Sequence, residues 1–248
     1  MSLPARLDLD RLAFPAPESA DEEGIVAFGG DASPERLLLA YGQGIFPWPH
    51  EGYPLLWFSP DPRFVLPLSD VTVPRSLRKS IRRGRYDIRF DTRFTEVMYA
   101  CSAAPRRGQR GTWITPELVA GFSRLHERGF AHSVEAYEAG ELVGGLYGMS
   151  LGEAFFGESM FSARPDASKV AFVTLLAHLA EWRFEFVDCQ VYTDHLARFG
   201  AREEPRARCL ARLRRALEAP TRTGPWARVL EPVEVLSVVD RASDRQRM

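Results

Sequence analysis

The hydrophobic period of the chain changes twice between Ala154 and Ala201, and no other stretch limits the possible folds as tightly. The apolar run AFFGE closes on a carboxylate, Glu158. Val170, Val173, Thr174, Ala177, Leu179 and Ala180 then recur mainly at spacings of three and four, which predicts a helix over about 168–183. In EFVDCQVY the period drops to two. Val187, Cys189 and Val191 fall on one strand face, Phe186, Asp188, Gln190 and Tyr192 on the other. Two acids and an amide, Glu158, Asp188 and Gln190, therefore stand in strands that the pattern buries. Buried polar groups are costly unless paired or put to use. Any one of them can be a satisfied structural residue; three on one strand–helix–strand unit point to a site. The arrangement is not a nucleophile elbow, a phosphate loop or a zinc signature.

Upstream, AHSVEAYEAGELVGGLYGMSLGEAFFGES reads as three strands, at about 132–138, 141–149 and 153–158, with turns at 138–140 and 150–153. Gly144 and Gly145 inside a strand predict a bulge or the close approach of a ligand. The order from there is βββαβα, with a strand at 185–192 and a basic last helix over 203–218. Earlier helices are signalled by Ser33-Pro34, with Leu37, Leu38 and Tyr41 behind and Gly42 and Gly44 to close, by FTEVMYACS, and by Thr115-Pro116-Glu117 with Gly129 as stop. His126 and His132 straddle a helix end and predict structural roles rather than a metal site. Residues 1–30 are rich in Pro and acids and predict an extended arm. The tail, 219–248, alternates only weakly.

Between Ile45 and Leu66 lie five prolines, two tryptophans and three phenylalanines. The prolines forbid a long helix, and so many aromatics are unusual for an exposed loop. The segment is either a rigid corner or a stacking surface for a nucleotide, with Trp48 and Trp57 as candidates. From Arg75 to Arg93 the charge changes. Arg75, Arg78, Lys79, Arg82, Arg83, Arg85, Arg89 and Arg93 stand against Asp87 and Asp91, a local +6 in a chain of net charge −1. Arg75, Arg78, Lys79 and Arg82 share one helix stripe with Leu77 and Ile81 behind it. A solvated face is the bland explanation, but a single-sign stripe repels itself and is better explained by a polyanion. Arg106, Arg107 and Arg110 add a second basic loop before Trp113. Three widely spaced cysteines, Cys101, Cys189 and Cys209, form neither a disulfide framework nor a zinc pattern, which fits a reducing cytoplasm. The N-terminus lacks the apolar run of a signal peptide, and no uncharged apolar run reaches the ~18 residues of a membrane span.

GESMFS, DASK, DCQ and T-x-HL-x-x-FGA, with GTWITPEL, AHSVE and LVGGLYG upstream, resemble the leucyl/phenylalanyl-tRNA–protein transferase family. So do GGDASPERLLLAYGQGIFPWP and WFSPDPR near the N-terminus. The likeness runs in one unbroken order over roughly residues 24 to 215. The βββαβα order suits, and the resemblance implies, an α/β (α+β) fold: a C-terminal N-acetyltransferase-like catalytic domain, 91–248, and a smaller N-terminal α+β domain, 1–90. Ala32, Arg183 and Glu204 depart mildly from the family pattern.

The resemblance implies an enzyme that moves Leu or Phe from Leu-tRNA or Phe-tRNA onto the N-terminal Arg or Lys of acceptor proteins, marking them for degradation. It implies no cofactor and no metal, no membrane, a monomer and a cytoplasmic location. Asp188, Gln190 and Glu158 become the catalytic candidates. Asp188 would orient Gln190, Gln190 would contact the amine or the ester carbonyl, and Glu158 with Asp188 would make the acidic surface that a cationic N-terminus needs. Leu146, Phe155, Leu175 and Val187 match the family's donor pocket, with Ser159, Trp48 and Trp113 as further substrate-binding candidates. Arg75, Arg78, Lys79, Arg82, Arg83 and Arg85 are the tRNA-binding candidates. Two alternatives remain. An acetyl-CoA-dependent N-acetyltransferase would need a glycine-rich pyrophosphate loop where this chain has SARPDASK. A non-enzymatic RNA-binding adaptor would leave Glu158, Asp188 and Gln190 idle.

Overall fold

A computed structural model describes residues 4–105, 112–227 and 229–244; Arg106, Arg107 and Arg110 lie outside the described residues. The N-terminal part holds β1 (Ala5–Leu7), β2 (Ile25–Gly29), α1 (Pro34–Gly42), β3 (Phe46–Pro47) and β4 (Leu56–Phe58). The four strands make a small sheet in the order β1-β2-β4-β3. Ser33 caps α1 by accepting the Arg36 N–H, and Pro34 sits where no backbone donor is needed. The arm before β2 is irregular apart from β1 and one 3-10 turn at Pro17–Ser19. Arg36, almost fully buried, ties it down by donating to the carbonyls of Asp8, Leu9 and Arg11.

The remainder supplies β5 (Arg63–Pro67), α2 (Arg75–Arg82), β6 (Asp87–Phe90), α3 (Phe94–Ala103), α4 (Pro116–Glu127), β7 (Ala131–Glu138), β8 (Glu141–Leu151) and β9 (Ala154–Ser162). After them come α5 (Ala167–Glu181), β10 (Phe186–Gln190), α6 (Asp194–Ala197), β11 (Arg202–Glu204), α7 (Arg206–Ala216) and α8 (Pro232–Asp244). Seven strands form the larger sheet, ordered β11-β5-β10-β9-β8-β7-β6. The α/β class, the smaller N-terminal unit and the run of three strands, helix and strand are all as expected. β5 and β6 fall within residues 1–90 yet belong to the larger sheet.

β9 and β10 are parallel, joined by the crossover helix α5. One apolar core lies on the α5 side of the sheet and contains Leu146, Phe155, Leu175 and Val187. A second lies on the other side, against α1, α3, α4 and the small sheet, and contains Tyr41, Tyr147, Phe156 and Phe186. α5 is buried nearly all round, from Ala167 to Leu179. The sheet covers one side; the other is covered by α8, whose Val235, Leu236, Val238 and Val239 join the same core. The tail is thus a docked helix opened by Pro232, where its sequence alone suggested weak alternation.

Gly144 and Gly145 sit beside a bulge, which lies between Ala136 and Tyr137 of the facing strand. The close approach there is not to a ligand. A Cβ on Gly144 would come within 2.6 Å of the Ala167 Cβ, so this glycine lets the first turn of α5 lie on the sheet. His132 is a structural residue, 2.9 Å from Asp91 and stacked on Trp226 at 3.7 Å; His126 stacks on Phe94 at 4.4 Å.

Candidate active site

β9 and β10 pair only at their beginnings. Phe186, Val187 and Asp188 lie beside Ala154, Phe155 and Phe156, and beyond that point the two strands share no pairing. Parallel strands that separate leave backbone groups and side chains facing a gap. Into this fork project Glu158 from β9 and Gln190 from the end of β10, bonded to each other through Gln190 Nε2 and Glu158 Oε1 at 2.8 Å.

Gln190 does not continue the alternation. Its φ is +66°, the pairing with β5 shifts between Asp188 and Gln190, and the Val191 N–H donates back to the Cys189 carbonyl at 2.8 Å. This is a γ-turn of the rare positive-φ kind, and a left-handed non-glycine residue costs about 1–3 kcal/mol. Asp188 holds it in place: its Oδ1 accepts the Gln190 backbone N–H at 2.9 Å. Period two therefore fails at the residue that matters, and both Cys189 and Gln190 line the gap.

Asp188 is 1% exposed and turned away from the gap. Arg63, 2% exposed on the neighbouring strand β5, grips it through Nε to Oδ1 at 2.9 Å and Nη2 to Oδ2 at 2.7 Å. Arg63 Nη1 also donates to the Gly44 carbonyl, and its guanidinium lies over the Phe46 ring at 4.6 Å. A bidentate pair of this kind fixes both partners in orientation. Asp188 is thus spoken for. It forms no part of an acidic surface for a cationic ligand; only Glu158 is left for that task.

Glu158 also accepts the Tyr41 hydroxyl at 2.6 Å. Burial pushes its carboxyl up from 4.5 to about 7, against the opposing pull of the Tyr41 and Gln190 hydrogen bonds. Tyr41, fully buried in α1, is itself held well above its ordinary value, first by burial and then by the Glu158 charge, so it remains a donor. Arg63 and Tyr41 are the two members of the site that sequence reasoning missed. The signal for Arg63 was the cation that a buried aspartate must have; Tyr41 was hidden as one more apolar position of α1.

A cavity of about 540 Å³ opens at the fork. Leu146, Phe155, Leu175 and Val187 line it on the α5 side of the sheet, Tyr147 and Trp48 on the other, so it passes through the sheet where the strands part. Ser159 and Trp113 also line it, as do Glu158 and Gln190. Trp57 does not: it is fully buried and donates its indole N–H to the Gly29 carbonyl, a core residue rather than a stacking surface. Among the described residues no group of three His, Cys, Asp or Glu side chains could hold a metal ion.

The basic stripe forms α2, with Leu77 and Ile81 buried beneath it. Arg78 is engaged by Asp240 of α8 through Nη1 at 3.0 Å and Nη2 at 2.5 Å, and Arg85 pairs with Glu138. Arg75, Lys79, Arg82 and Arg83 are exposed and make no ion pair among the described residues. Ser80 of α2 donates to Asp166 at the start of α5, and Ser162 and Ser168, which flank that loop, line the cavity wall.

Residues 65–214 match the family described as leucyl/phenylalanyl-tRNA protein transferase, and residues 30–61 match that family's N-terminal domain. The leucyl/phenylalanyl-tRNA–protein transferase of Myxococcus xanthus (strain DK1622) is 61% identical over 213 residues, 86% of this chain and 91% of that one. That of Anaeromyxobacter sp. (strain Fw109-5) is 58% identical over 215 residues, 87% of this chain and 92% of the other. A solved structure, L-PGS from Bacillus licheniformis, is similar at 11% identity and a TM-score of 0.37 over 90% of this chain and 73% of that one. On the strength of its two matched segments and of relatives alike over most of its length, this chain belongs to the leucyl/phenylalanyl-tRNA–protein transferase family of enzymes.

Proposed function

We propose that the chain transfers leucine or phenylalanine from its tRNA to the α-amine of proteins that begin with Arg or Lys, marking them for degradation, and that the reaction takes place at the fork between β9 and β10. The observation that carries this reading is an apolar pocket wall, formed by Leu146, Phe155, Leu175 and Val187, in the same cavity as the Glu158–Gln190 pair. The donor side chain enters the pocket. Shape of this sort discriminates by about 1–3 kcal/mol per methylene. Trp48 and Trp113, both half-buried on the cavity wall, offer ring faces to the terminal adenine. The tRNA backbone follows α2 past its unpaired cations Arg75, Lys79, Arg82 and Arg83.

Aminoacyl-tRNA is an activated ester, so attack by an amine runs downhill without ATP. An α-amine has an ordinary pKa of about 7.7–8.0, and a fair fraction is neutral near pH 7. Positioning then supplies most of the barrier reduction. Arg63 fixes Asp188, Asp188 fixes the Gln190 backbone, and Gln190, its Nε2 committed to Glu158, presents Oε1 to the incoming amine. Glu158 meets the positive charge of the acceptor N-terminus. Cys101, Cys189 and Cys209 are buried and form no disulfide among the described residues, which fits the cytoplasm.

An acetyl-CoA reading is less well supported. At the start of α5, where a pyrophosphate would sit, Asp166 occupies the cap with a φ of +65° and binds Lys169 at 2.7 Å. The test is transfer of labelled leucine from Leu-tRNA to an Arg-initiated peptide, with labelled acetyl-CoA in a parallel reaction. Leucine incorporation without acetylation is expected; acetylation alone would replace this reading with the other.

A further inference from the structure

Both donors to Glu158 fall on the same atom. Tyr41 Oη and Gln190 Nε2 donate to Oε1, at 2.6 and 2.8 Å, and Oε2 accepts no hydrogen bond among the described residues. A carboxylate can accept about four hydrogen bonds over its two oxygens, so half of its capacity is left where the residue lines the cavity. Gln190 is in the complementary state. One of its two amide N–H donors is used, its carbonyl oxygen is not, and a neutral amide oxygen is a poor proton acceptor. Of the two groups at the fork, only the carboxylate can carry a proton at neutral pH.

The groups facing Glu158 come from four strands and helices. Tyr41 reaches it from α1, with Tyr147 of β8 close to that hydroxyl, Gln190 and Asp188 lie on β10, and Arg63 lies on β5. Asp188 raises the Glu158 carboxyl and Arg63 lowers it, and these two are bound to each other, so burial is left as the main cause of a value of about 7. A base is most effective when its pKa lies near the working pH.

We propose that Glu158 Oε2 accepts the proton of the attacking α-amine, that Gln190 Oε1 aligns the amine without taking its proton, and that Tyr41 is the positioning residue that fixes the carboxylate. In the step, the amine lone pair forms the C–N bond and the C–O bond to the tRNA ribose breaks, its electron pair leaving on the ribose oxygen. The nitrogen gives a proton to Glu158, which returns it to the departing oxygen, so the carboxylate is regenerated and nothing is consumed beyond ester and amine. This rests on the transfer reading given above.

The experiment is the pH dependence of kcat, with Leu-tRNA and an Arg-initiated peptide both saturating, for the wild type, Glu158→Gln and Tyr41→Phe. Besides the titration of the α-amine near 7.7–8.0, which every variant shares, wild-type kcat should rise through a limb near pH 7. Glu158→Gln should lose about 10²–10⁴-fold in kcat together with that limb. The Tyr41 hydroxyl pulls the carboxyl down, so Tyr41→Phe should move the limb upward, giving a several-fold deficit at pH 6.5 that closes by pH 8.5. A Glu158→Gln enzyme with wild-type kcat and a raised peptide KM would show that Glu158 only holds the ammonium, and would overturn the proposal. So would a Tyr41→Phe deficit of the same size at every pH, which is what lost packing alone would give, and this variant decides the matter if Glu158→Gln does not fold. A wild type that transfers no leucine at any pH would instead remove the underlying reading, so the two failures are distinct.

Discussion

A left-handed glutamine at the end of a strand persists only where its surroundings hold it, and around Gln190 they do. The Asp188 carboxylate takes its backbone N–H, and Arg63 fixes Asp188 in turn. The same neighbourhood keeps a carboxyl group where it is least comfortable as a charge. Glu158 binds its proton more tightly in the folded chain, with a value raised from 4.5 to about 7. Its contribution to stability is therefore fully present below about pH 4.5 and is lost as pH rises through 7. Above that the folded state carries a desolvated charge, which for this half-buried group amounts to roughly 1–3 kcal/mol. Glu158→Gln should accordingly be more stable than the wild type by about that amount at pH 8.5 and by little or nothing at pH 5. Urea denaturation at the two pH values checks this; an equal difference at both would mean that Glu158 is not held at a raised value. A residue that destabilises the fold at working pH is one kept for another purpose. Sequence alone reached Glu158, Asp188 and Gln190 because polar groups stand out in apolar strands. It did not reach the reversal of Gln190, since alternation carries no signal for a γ-turn, nor Tyr41, which is apolar in pattern and polar only at its tip.

At the scale of elements, the helices and strands with strong periodicity were the legible ones. α5 was expected over 168–183 and runs Ala167–Glu181, and β7, β8 and β9 start within one residue of their expected positions. α8 was not legible. VEVLSVV is rich in β-branched residues, and its helical character rests on a partner surface, the side of α5 turned away from the sheet, that no local pattern describes. That helix also alters what α2 can do. The stripe Arg75, Arg78, Lys79 and Arg82 was read as one face free for a polyanion, but α8 brings Asp240 onto Arg78. Binding of tRNA should therefore depend on the cations without partners. Reversing Lys79, Arg82 and Arg83 to Glu is expected to weaken tRNA binding and to flatten its salt dependence by about one unit of slope per lost phosphate contact. Asp240→Asn, which releases Arg78, should tighten binding and steepen that dependence. Unchanged affinity at low salt in the triple variant would return α2 to an ordinary solvated face. Arg183 marks another gap in what local pattern can say: it ends α5 with a φ of +65°, a position where a glycine would carry no strain, and nothing in the structure explains the arginine.

For the molecule as a whole, the small N-terminal sheet and the seven-stranded sheet share one task. The larger sheet separates at β9 and β10 and makes the gap; the smaller one brings Phe46 and Trp48 to wall it, while Tyr41 of α1 holds Glu158 in place. Arg63, at the first residue of the larger sheet's β5, binds the two units through Asp188 and the Gly44 carbonyl. None of this cooperation is visible from composition, because its main contacts, Tyr41 with Glu158 and Arg63 with Asp188, join residues more than a hundred positions apart. The central claim is that the chain works at this fork, through the Asp188-held Gln190. It is tested most directly by steady-state transfer of leucine in folded Asp188→Asn and Gln190→Ala, with donor tRNA and acceptor peptide varied separately. The account predicts at least a tenfold fall in kcat for both variants with the KM for Leu-tRNA within about twofold of wild type, as expected for interactions made mainly in the transition state. Wild-type kcat in both would contradict it.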